Sequence, residues 1–230
     1  MDKVGGMNGC KGGWVLVTTP VIEGTGPSTV ERVAGLGDAI ELVDAGELVA
    51  VAIDIPIGLP DLGPRRCDVE ARAMIGPRRS SVFPAPLRGV LGAKIYLEAA
   101  ERSLAISGKS LSKQAFAILP KIEEVDRLMS PARQQTVIEV HPEVSFTALA
   151  GHPMAHHKSE PEGRQERLRA LSSAFAHVDE LANRRLPGAN TDDVLDALVG
   201  AWSARRWVLG SYKRLGGEVD GRGLRMEMIA

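Results

Sequence analysis

The chain has 230 residues and a formal net charge of −1, with 28 lysines and arginines against 29 aspartates and glutamates. This length suits one elaborated domain or two small ones. The balanced charge excludes a global positive field, so nucleic-acid binding would need a local patch. Cys10 and Cys67 are too few for a disulfide framework or a cysteine metal site. Because no apolar run is long enough for a membrane span or signal peptide, we expect a cytoplasmic protein with no membrane partner.

The first quarter of the chain has the pattern of an α/β domain. Residues 4–19 predict two short strands joined at Gly12-Gly13, and a third strand is indicated near Val21-Ile22. Apolar positions between residues 28 and 47 predict one broken helix. Residues 49–53 are uninterrupted apolar residues, as in a strand buried on both faces, and Asp54 follows directly. Open α/β sheets bind ligands at such strand ends, but an aspartate that caps a turn is an equally good interpretation.

Residues 61–130 depart from this pattern. The stretch 61–88 is rich in arginine, and its prolines force an irregular path, which favours either a substrate loop or ordinary solvated arginines. Residues 93–130 predict helices with a break at Gly108. The arginines of the first stretch are Arg65, Arg66, Arg72, Arg78, Arg79 and Arg88.

The second half of the chain alternates again between strand and helix patterns. Residues 136–140 predict a strand, and residues 144–150 a helix. A polar loop follows, and then an amphipathic helix is predicted over residues 165–181. The strongest helical pattern covers residues 191–209, where Leu195, Leu198, Val199 and Trp202 form one apolar stripe. The tail after Gly210 is predicted to be mobile or to end in a short strand.

Acidic side chains lie at the ends of several of these predicted elements. Glu139 ends the strand 136–140, and Asp193 and Asp196 lie near the start of the last helix. Carboxylates that converge from separate elements suit Mg²⁺ or Mn²⁺. Helix-dipole stabilisation explains Asp193 equally well, and a salt bridge to an arginine would explain Glu139. Asp196 borders the apolar stripe, and it therefore needs a partner, whether metal, arginine or hydrogen bonds.

The histidines give weaker indications. His152, His156 and His157 cluster in the polar loop, and Pro153 argues against a helix that would align them. Solvated loop histidines are the favoured interpretation. His141 lies beside Glu139 and could act as a proton shuttle or as a hydrogen-bonding group at the strand end.

Six segments resemble the motifs of one known family in the same order: NGCKGGW, IDIPIGLP, SSVFPAPLR, EVHPE, HKSEPEGRQERLRAL and TDDVLDAL. Over residues 4–209 the chain is similar to the bacterial and archaeal family known as domain of unknown function 429. Its members are described as predicted nucleases with a ribonuclease H-like fold. The resemblance implies one α/β domain over residues 1–230, a mixed sheet flanked by helices, with a helical, arginine-rich insertion at 61–130.

The resemblance also implies a metal site. Asp54 matches the fourth-strand acid of ribonuclease H-like nucleases, and Asp193 with Asp196 matches the helix pair of the Holliday-junction resolvase branch. Members of the family usually read DGCRGGW at the first strand, whereas this chain has Asn8 in place of the aspartate. Asn8 offers a cation only a neutral carbonyl oxygen. We therefore expect weaker metal binding and attenuated activity.

The leading hypothesis is a metal-dependent nuclease, a hydrolase of phosphodiester bonds. Asp54, Asp193, Asp196 and Asn8 would bind Mg²⁺ or Mn²⁺, and Glu139 would be a further ligand or the general base. Asp54, Glu139 and Asp196 are the predicted catalytic residues. The predicted phosphate contacts to a nucleic-acid substrate are Arg78, Arg79 and Arg88.

Two other functions are open from the sequence. The first is an enzyme of the actin-like ATPase and sugar-kinase branch that acts on a nucleotide or phosphorylated small molecule. In that case the glycine-rich turn at residues 9–13 would cradle the phosphate and Lys11 would contact it. The second is a non-catalytic protein that binds nucleic acid or another ligand, as the substitution at Asn8 suggests.

Overall fold

The computed structural model of the protein describes residues 2–230, which contain seven β-strands and nine α-helices. The strands are β1 (Lys3–Cys10), β2 (Gly13–Pro20), β3 (Thr29–Val33), β4 (Ala50–Ile53), β5 (Val137–Glu139), β6 (Arg214–Val219) and β7 (Arg225–Ile229). The helices are α1 (Leu36–Asp44), α2 (Arg66–Ile75), α3 (Tyr96–Ser107), α4 (Lys113–Ala117), α5 (Leu119–Leu128), α6 (Pro142–Ala150), α7 (Pro161–Leu171), α8 (Val178–Ala182) and α9 (Thr191–Val208).

Five strands form one mixed sheet in the order β3-β2-β1-β4-β5. The β1–β2 and β2–β3 pairs are antiparallel, whereas β1–β4 and β4–β5 are parallel. An antiparallel three-stranded meander extended by parallel strands on the side of β1 is the sheet of the ribonuclease H-like fold, and it confirms the predicted fold class. Strands β6 and β7 pair only with each other, as a separate hairpin.

Helices cover both faces of the sheet, and strand alternation decides which residues meet them. On β2, Val15 and Val17 pack in the cluster built around α9, and Trp14 and Leu16 pack in the cluster that contains residues of α1 and α5. On β4, Ala50 and Ala52 face α9, whereas the two alternate residues face α1 and α5. Asp54 continues this alternation past the end of β4, on the α9 side.

Gly6 lets the backbones of α9 and β1 come into direct contact. A Cβ atom at Gly6 would lie 2.1 Å from the backbone nitrogen of Ala201 and 2.2 Å from the carbonyl oxygen of Ala197. Only glycine therefore permits this approach.

We expect Gly6→Ala to lower the free energy of unfolding by about 1–3 kcal/mol, because β1 and α9 would have to separate. Gly200→Ala is the matched control on the facing helix, where the nearest atom to an added Cβ is 3.5 Å away. That substitution should be neutral or stabilise by up to about 1 kcal/mol through helix propensity. Urea titrations of both variants measure the difference, and equal effects would contradict the close-packing argument.

Some predicted elements differ from the observed ones. Residues 21–22 lie in a bend after β2 and the third strand is β3, so the predicted broken helix over 28–47 is a short strand followed by α1. The predicted helix 165–181 is two helices, because His177 adopts a left-handed conformation with φ of 57° before α8. The tail ends in a full hairpin, with Leu215 and Met228 packed against α2.

Helices α2 to α5 and the proline-rich segment 82–87 lie between β4 and β5, where the sequence predicts the insertion. The chain from Gly76 to Ser81 forms a short 3₁₀ helix, and Arg72 holds the next segment by donating to the carbonyl oxygen of Val82, at 2.5 Å. None of the helices within residues 2–230 is both long and apolar enough to cross a lipid bilayer.

Candidate active site

A cleft of about 260 Å³ opens at the carboxyl ends of β1 and β4. Its polar lining includes Asn8, Asp54, Asp193, Asp196 and Lys158, and we refer to these five residues as the acidic cleft. The proline-rich segment 82–86 forms the opposite wall. The structure therefore brings together the side chains from β1, β4 and α9 that the sequence predicts to meet.

Strand register places Asn8 beside Asp54. In the parallel β1–β4 pair, Met7 is opposite Ile53, and the backbone N–H of Asp54 donates to the carbonyl oxygen of Met7 at 3.2 Å. The next residue on each strand points to the face covered by α9. The side chains of Asn8 and Asp54 are therefore neighbours, because each residue directly follows one member of the Met7–Ile53 pair.

Helix α9 supplies the other two acids, which are three residues apart and so share one face. Asp193 belongs to the capping box of the helix, where its Oδ2 accepts from the backbone N–H of Asn190 at 2.7 Å. Its Oδ1 accepts from the Nδ2 of Asn8 at 3.3 Å. The Asn8 amide thus bridges β1 and α9, and burial raises the pKa of the half-buried Asp193.

Lys158 is the one cation in this group, and the sequence did not identify it. Its Nζ donates to the Oδ2 of Asp196 at 2.7 Å. Burial raises the pKa of Asp54 to about 6, although the charge of Lys158 opposes the shift. Burial likewise raises the pKa of Asp196 to about 6, against Lys158 and reinforced by Asp54. Although burial alone would lower the pKa of Lys158, the charges of Asp196 and Asp54 raise it.

Several oxygen atoms of the acidic cleft are open to a cation. The carboxylate of Asp54 accepts no hydrogen bond from any residue between Asp2 and Ala230, and neither does the Oδ1 of Asn8. Carboxylate and amide oxygens are the ligands that Mg²⁺ and Mn²⁺ prefer. Burial raises the pKa of both Asp54 and Asp196, and a bound cation would favour their ionised forms. The residues therefore fit a divalent ion, with Lys158 as the competing cation.

Glu139 lines the same cleft, but it does so from β5 on the side of the sheet opposite α9. It pairs with Ile53 in the parallel register, so both side chains point toward the face away from α9. Its two carboxylate oxygens accept from the two terminal nitrogens of Arg65, each at 2.7 Å, and one also accepts from the N–H of Ile57. Arg65 also binds Asp68 at 2.6 Å. Burial raises the pKa of Glu139 to about 7, against the charge of Arg65.

The same cluster is the only place in residues 2–230 where three potential metal-ligand atoms, those of Cys67, Asp68 and Glu139, lie within 4.8 Å of one another. Arg65 already provides a positive charge to both carboxylates there. Asp68 in turn accepts from the N–H of Ala85 at 3.0 Å, which holds the proline-rich wall of the cleft. The cluster therefore supports the cleft structurally. The carboxylate of Glu139 is bound to Arg65 and to a backbone N–H, and its contact with a metal remains a prediction.

The sequence and the structure were compared with known families and solved structures. The family described as "Protein of unknown function (DUF429)" matches residues 1–221. The chain belongs to this family. No curated protein matches the sequence. Among solved structures, a Thermus thermophilus RuvC aligns with 13% identity and a TM-score of 0.35, over 91% of this chain and 97% of that chain.

The cationic residues predicted to contact phosphate lie outside the acidic cleft of this DUF429 protein. Arg88 pairs with Asp126 and Asp220, and Arg79 is exposed. Arg78 lies 3.9 Å from Glu143, away from the cleft lining. Lys11 is exposed at the β1–β2 turn.

The glycine-rich turn of this DUF429 protein is occupied by contacts within the chain. The carbonyl oxygens of Gly12 and Gly13 accept from Arg32 and Lys121 respectively, and the N–H of Lys11 donates to Gly188. The turn thus presents carbonyls to cations, which is the opposite of the N–H cradle that a phosphate requires.

His141 is the histidine that reaches the cleft. Its Nε2 lies 3.2 Å from the carbonyl oxygen of Ser81, and its Nδ1 has no hydrogen-bond partner among residues 2–230. Burial lowers the pKa of His141, so the ring is neutral at pH 7. His152, His156 and His157 are exposed in the loop before α7, as their sequence context predicts.

Proposed function

We propose that this protein is a metal-dependent phosphodiesterase that cleaves nucleic acid. The observation that carries the proposal is the acidic cleft itself. Two carboxylates from separate elements, Asp54 and Asp196, lie close enough for the charge of Asp54 to raise the pKa of Asp196, and among residues 2–230 only Lys158 forms a salt bridge with either of them. Such an arrangement is costly for the folded protein unless a cation binds there.

Each residue of the acidic cleft has a defined part in the proposal. Asp54 and Asp196 would hold the ions, Asp193 would assist from α9, and Asn8 would add one neutral oxygen. Bound divalent ions supply an activated water and stabilise the leaving oxygen of a phosphodiester. His141 lines the same cleft, and its buried Nδ1, which has no hydrogen-bond partner among residues 2–230, would accept a proton from the attacking water. Glu139 would act through Arg65 by fixing the proline-rich wall.

A substrate panel tests the proposal. Purified protein is incubated with branched DNA, RNA–DNA hybrid and single-stranded oligonucleotides in Mg²⁺ or Mn²⁺, and matched reactions contain EDTA. We expect metal-dependent cleavage of at least one substrate. Binding without turnover, including in the Asn8→Asp variant, would instead support a non-catalytic binding protein.

Lys158 provides a prediction about the metal that does not depend on cleavage. We expect Lys158→Met to raise the affinity for Mn²⁺ by about tenfold, because it removes a charge that neutralises Asp196 from 2.7 Å away. Isothermal titration calorimetry measures the change. Lys109→Met removes an exposed lysine that does not line the cleft and is the control. Unchanged Mn²⁺ affinity in Lys158→Met would contradict a cation site at Asp54 and Asp196.

A further inference from the structure

A cationic surface adjoins the acidic cleft along α9. Arg164, Arg184 and Arg185 line a groove of about 420 Å³ together with Asn183 and Thr191, and we refer to it as the arginine groove. None of the three arginines forms a salt bridge with any of residues 2–230, and no acidic side chain lines the groove. The one side-chain hydrogen bond in the groove runs from Arg164 to the Oδ1 of Asn183, at 3.1 Å.

The arginine groove is continuous with the cleft. A cavity of about 500 Å³ lies between them; it shares Lys158 with the acidic cleft and Arg164 with the arginine groove. Glu160 and Asp192 also line this connecting cavity, so acidic side chains interrupt the positive surface there. The surface is positive again at the arginine groove. A molecule that extends from the cleft along the surface would therefore pass from Lys158 to three unpaired guanidinium groups.

Helix α9 contributes residues to both sites. Thr191 lines the arginine groove, whereas Asp196 lies in the cleft five residues further along the same helix. At a rise of 1.5 Å per residue this is roughly 7.5 Å along the helix axis, with the two residues turned about 140° apart around it. Both sites therefore lie near the amino-terminal end of α9, on different sides of the helix.

From these observations we infer that the arginine groove binds the phosphate backbone of the strand whose scissile phosphodiester lies in the acidic cleft. The inference rests on the proposed function and specifies its substrate as a polynucleotide. Guanidinium groups donate two parallel hydrogen bonds to phosphate, and unpaired ones do so without losing an existing partner. Because the whole chain has a net charge of −1, this local groove supplies the positive potential that binding requires.

Lys11 adds a fourth cation at the edge of the groove. Its backbone N–H donates to the carbonyl oxygen of Gly188 at 3.0 Å, and Gly188 lies between two groove-lining residues, Leu186 and Ala189. The close approach requires a glycine, because a Cβ at Gly188 would lie 2.5 Å from the carbonyl oxygen of Lys11. The β1–β2 turn thus places Lys11 beside the arginine groove, where it would contact a neighbouring phosphate.

Binding measured in EDTA tests the inference separately from cleavage. Fluorescence anisotropy of a labelled single-stranded oligonucleotide is recorded over a series of salt concentrations with wild type, with Arg184→Gln/Arg185→Gln, and with the control Arg66→Gln/Arg127→Gln. The control removes the same charge from exposed residues that line neither the cleft nor the groove. We expect the groove variant to bind at least about tenfold more weakly, with a salt slope smaller by about 1.4.

Each other outcome has a definite meaning. Equal binding by wild type and groove variant, or equal loss in groove and control variants, would overturn the inference. Binding of inorganic phosphate or ATP that depends on Arg184 and Arg185, with no oligonucleotide binding, would assign the groove to a small anion and overturn the polynucleotide. Groove-dependent binding without any cleavage in Mg²⁺ or Mn²⁺ would contradict the proposed nuclease function and leave the arginine groove supported.

Discussion

Replacement of Arg65 with methionine is expected to lower the free energy of unfolding by about 3–5 kcal/mol. Arg65 is 2% exposed, and it is the shared partner of Asp68 and Glu139, which are 2% and 3% exposed. Without the guanidinium, two carboxylates would remain buried beside each other with no positive charge between them. Denaturant unfolding monitored by tryptophan fluorescence or circular dichroism measures the loss.

The neighbouring arginine is the control for Arg65. Arg66 is exposed and pairs with Glu70 on the surface of α2, so Arg66→Met should cost less than about 1 kcal/mol. Adding Glu139→Gln to Arg65→Met should recover part of the loss, because one of the two unpaired charges is removed. Equal effects at Arg65 and Arg66 would show that the buried cluster does not hold β5 and the proline-rich wall.

The sequence was sufficient to predict four strands of the five-stranded sheet and the residues at its carboxyl edge. Uninterrupted apolar residues mark β4 as a buried strand. Asp54 directly follows this strand, so it lies at the ligand-binding edge of the sheet regardless of how the rest of the chain packs. Asp196 was predicted because an acid beside the apolar stripe of α9 needs a partner. These predictions depend on local patterns alone, and that is why they could be made without knowledge of the packing.

The place of Glu139 could not be predicted in the same way. Its position at a strand end is as clear as that of Asp54, but the face to which it points depends on the register of β5 against β4. A shift of one residue reverses the face, and no local pattern in a strand of three residues fixes that shift. The partner of Glu139, Arg65, comes from the arginine-rich stretch 61–88, in which no local pattern distinguishes a buried arginine from an exposed one.

Lys158 was missed for a related reason. It lies in a polar loop that, by composition, reads as solvated, and only the packing of that loop against α9 brings its Nζ to Asp196. The contact of this lysine with a carboxylate 38 residues away is a tertiary feature. The third strand was misplaced because β3 lies at the sheet edge and only one of its five residues, Val30, is buried, so its sequence lacks a clear apolar pattern.

The charge of the acidic cleft decides how tightly it can bind metal, and Asn8→Asp together with Asp196→Asn tests this from both directions. Asp196→Asn should abolish Mn²⁺ binding measured by calorimetry and reduce metal-dependent cleavage by at least about 100-fold, because it removes a carboxylate on which the centre depends. Asp179→Asn is the matched control: this acid is exposed and lines neither the cleft nor the connecting cavity, so binding and cleavage should change little.

Asn8→Asp should act in the opposite sense. It replaces an amide that donates to Asp193 with a fourth carboxylate, so the metal-free protein should melt at a lower temperature through repulsion between like charges. Saturating Mn²⁺ should then stabilise Asn8→Asp more than wild type, with an affinity about tenfold higher, because a bound cation relieves that repulsion. If Asn8→Asp lowers the melting temperature and Mn²⁺ does not restore it, the cleft does not bind the ion through these side chains.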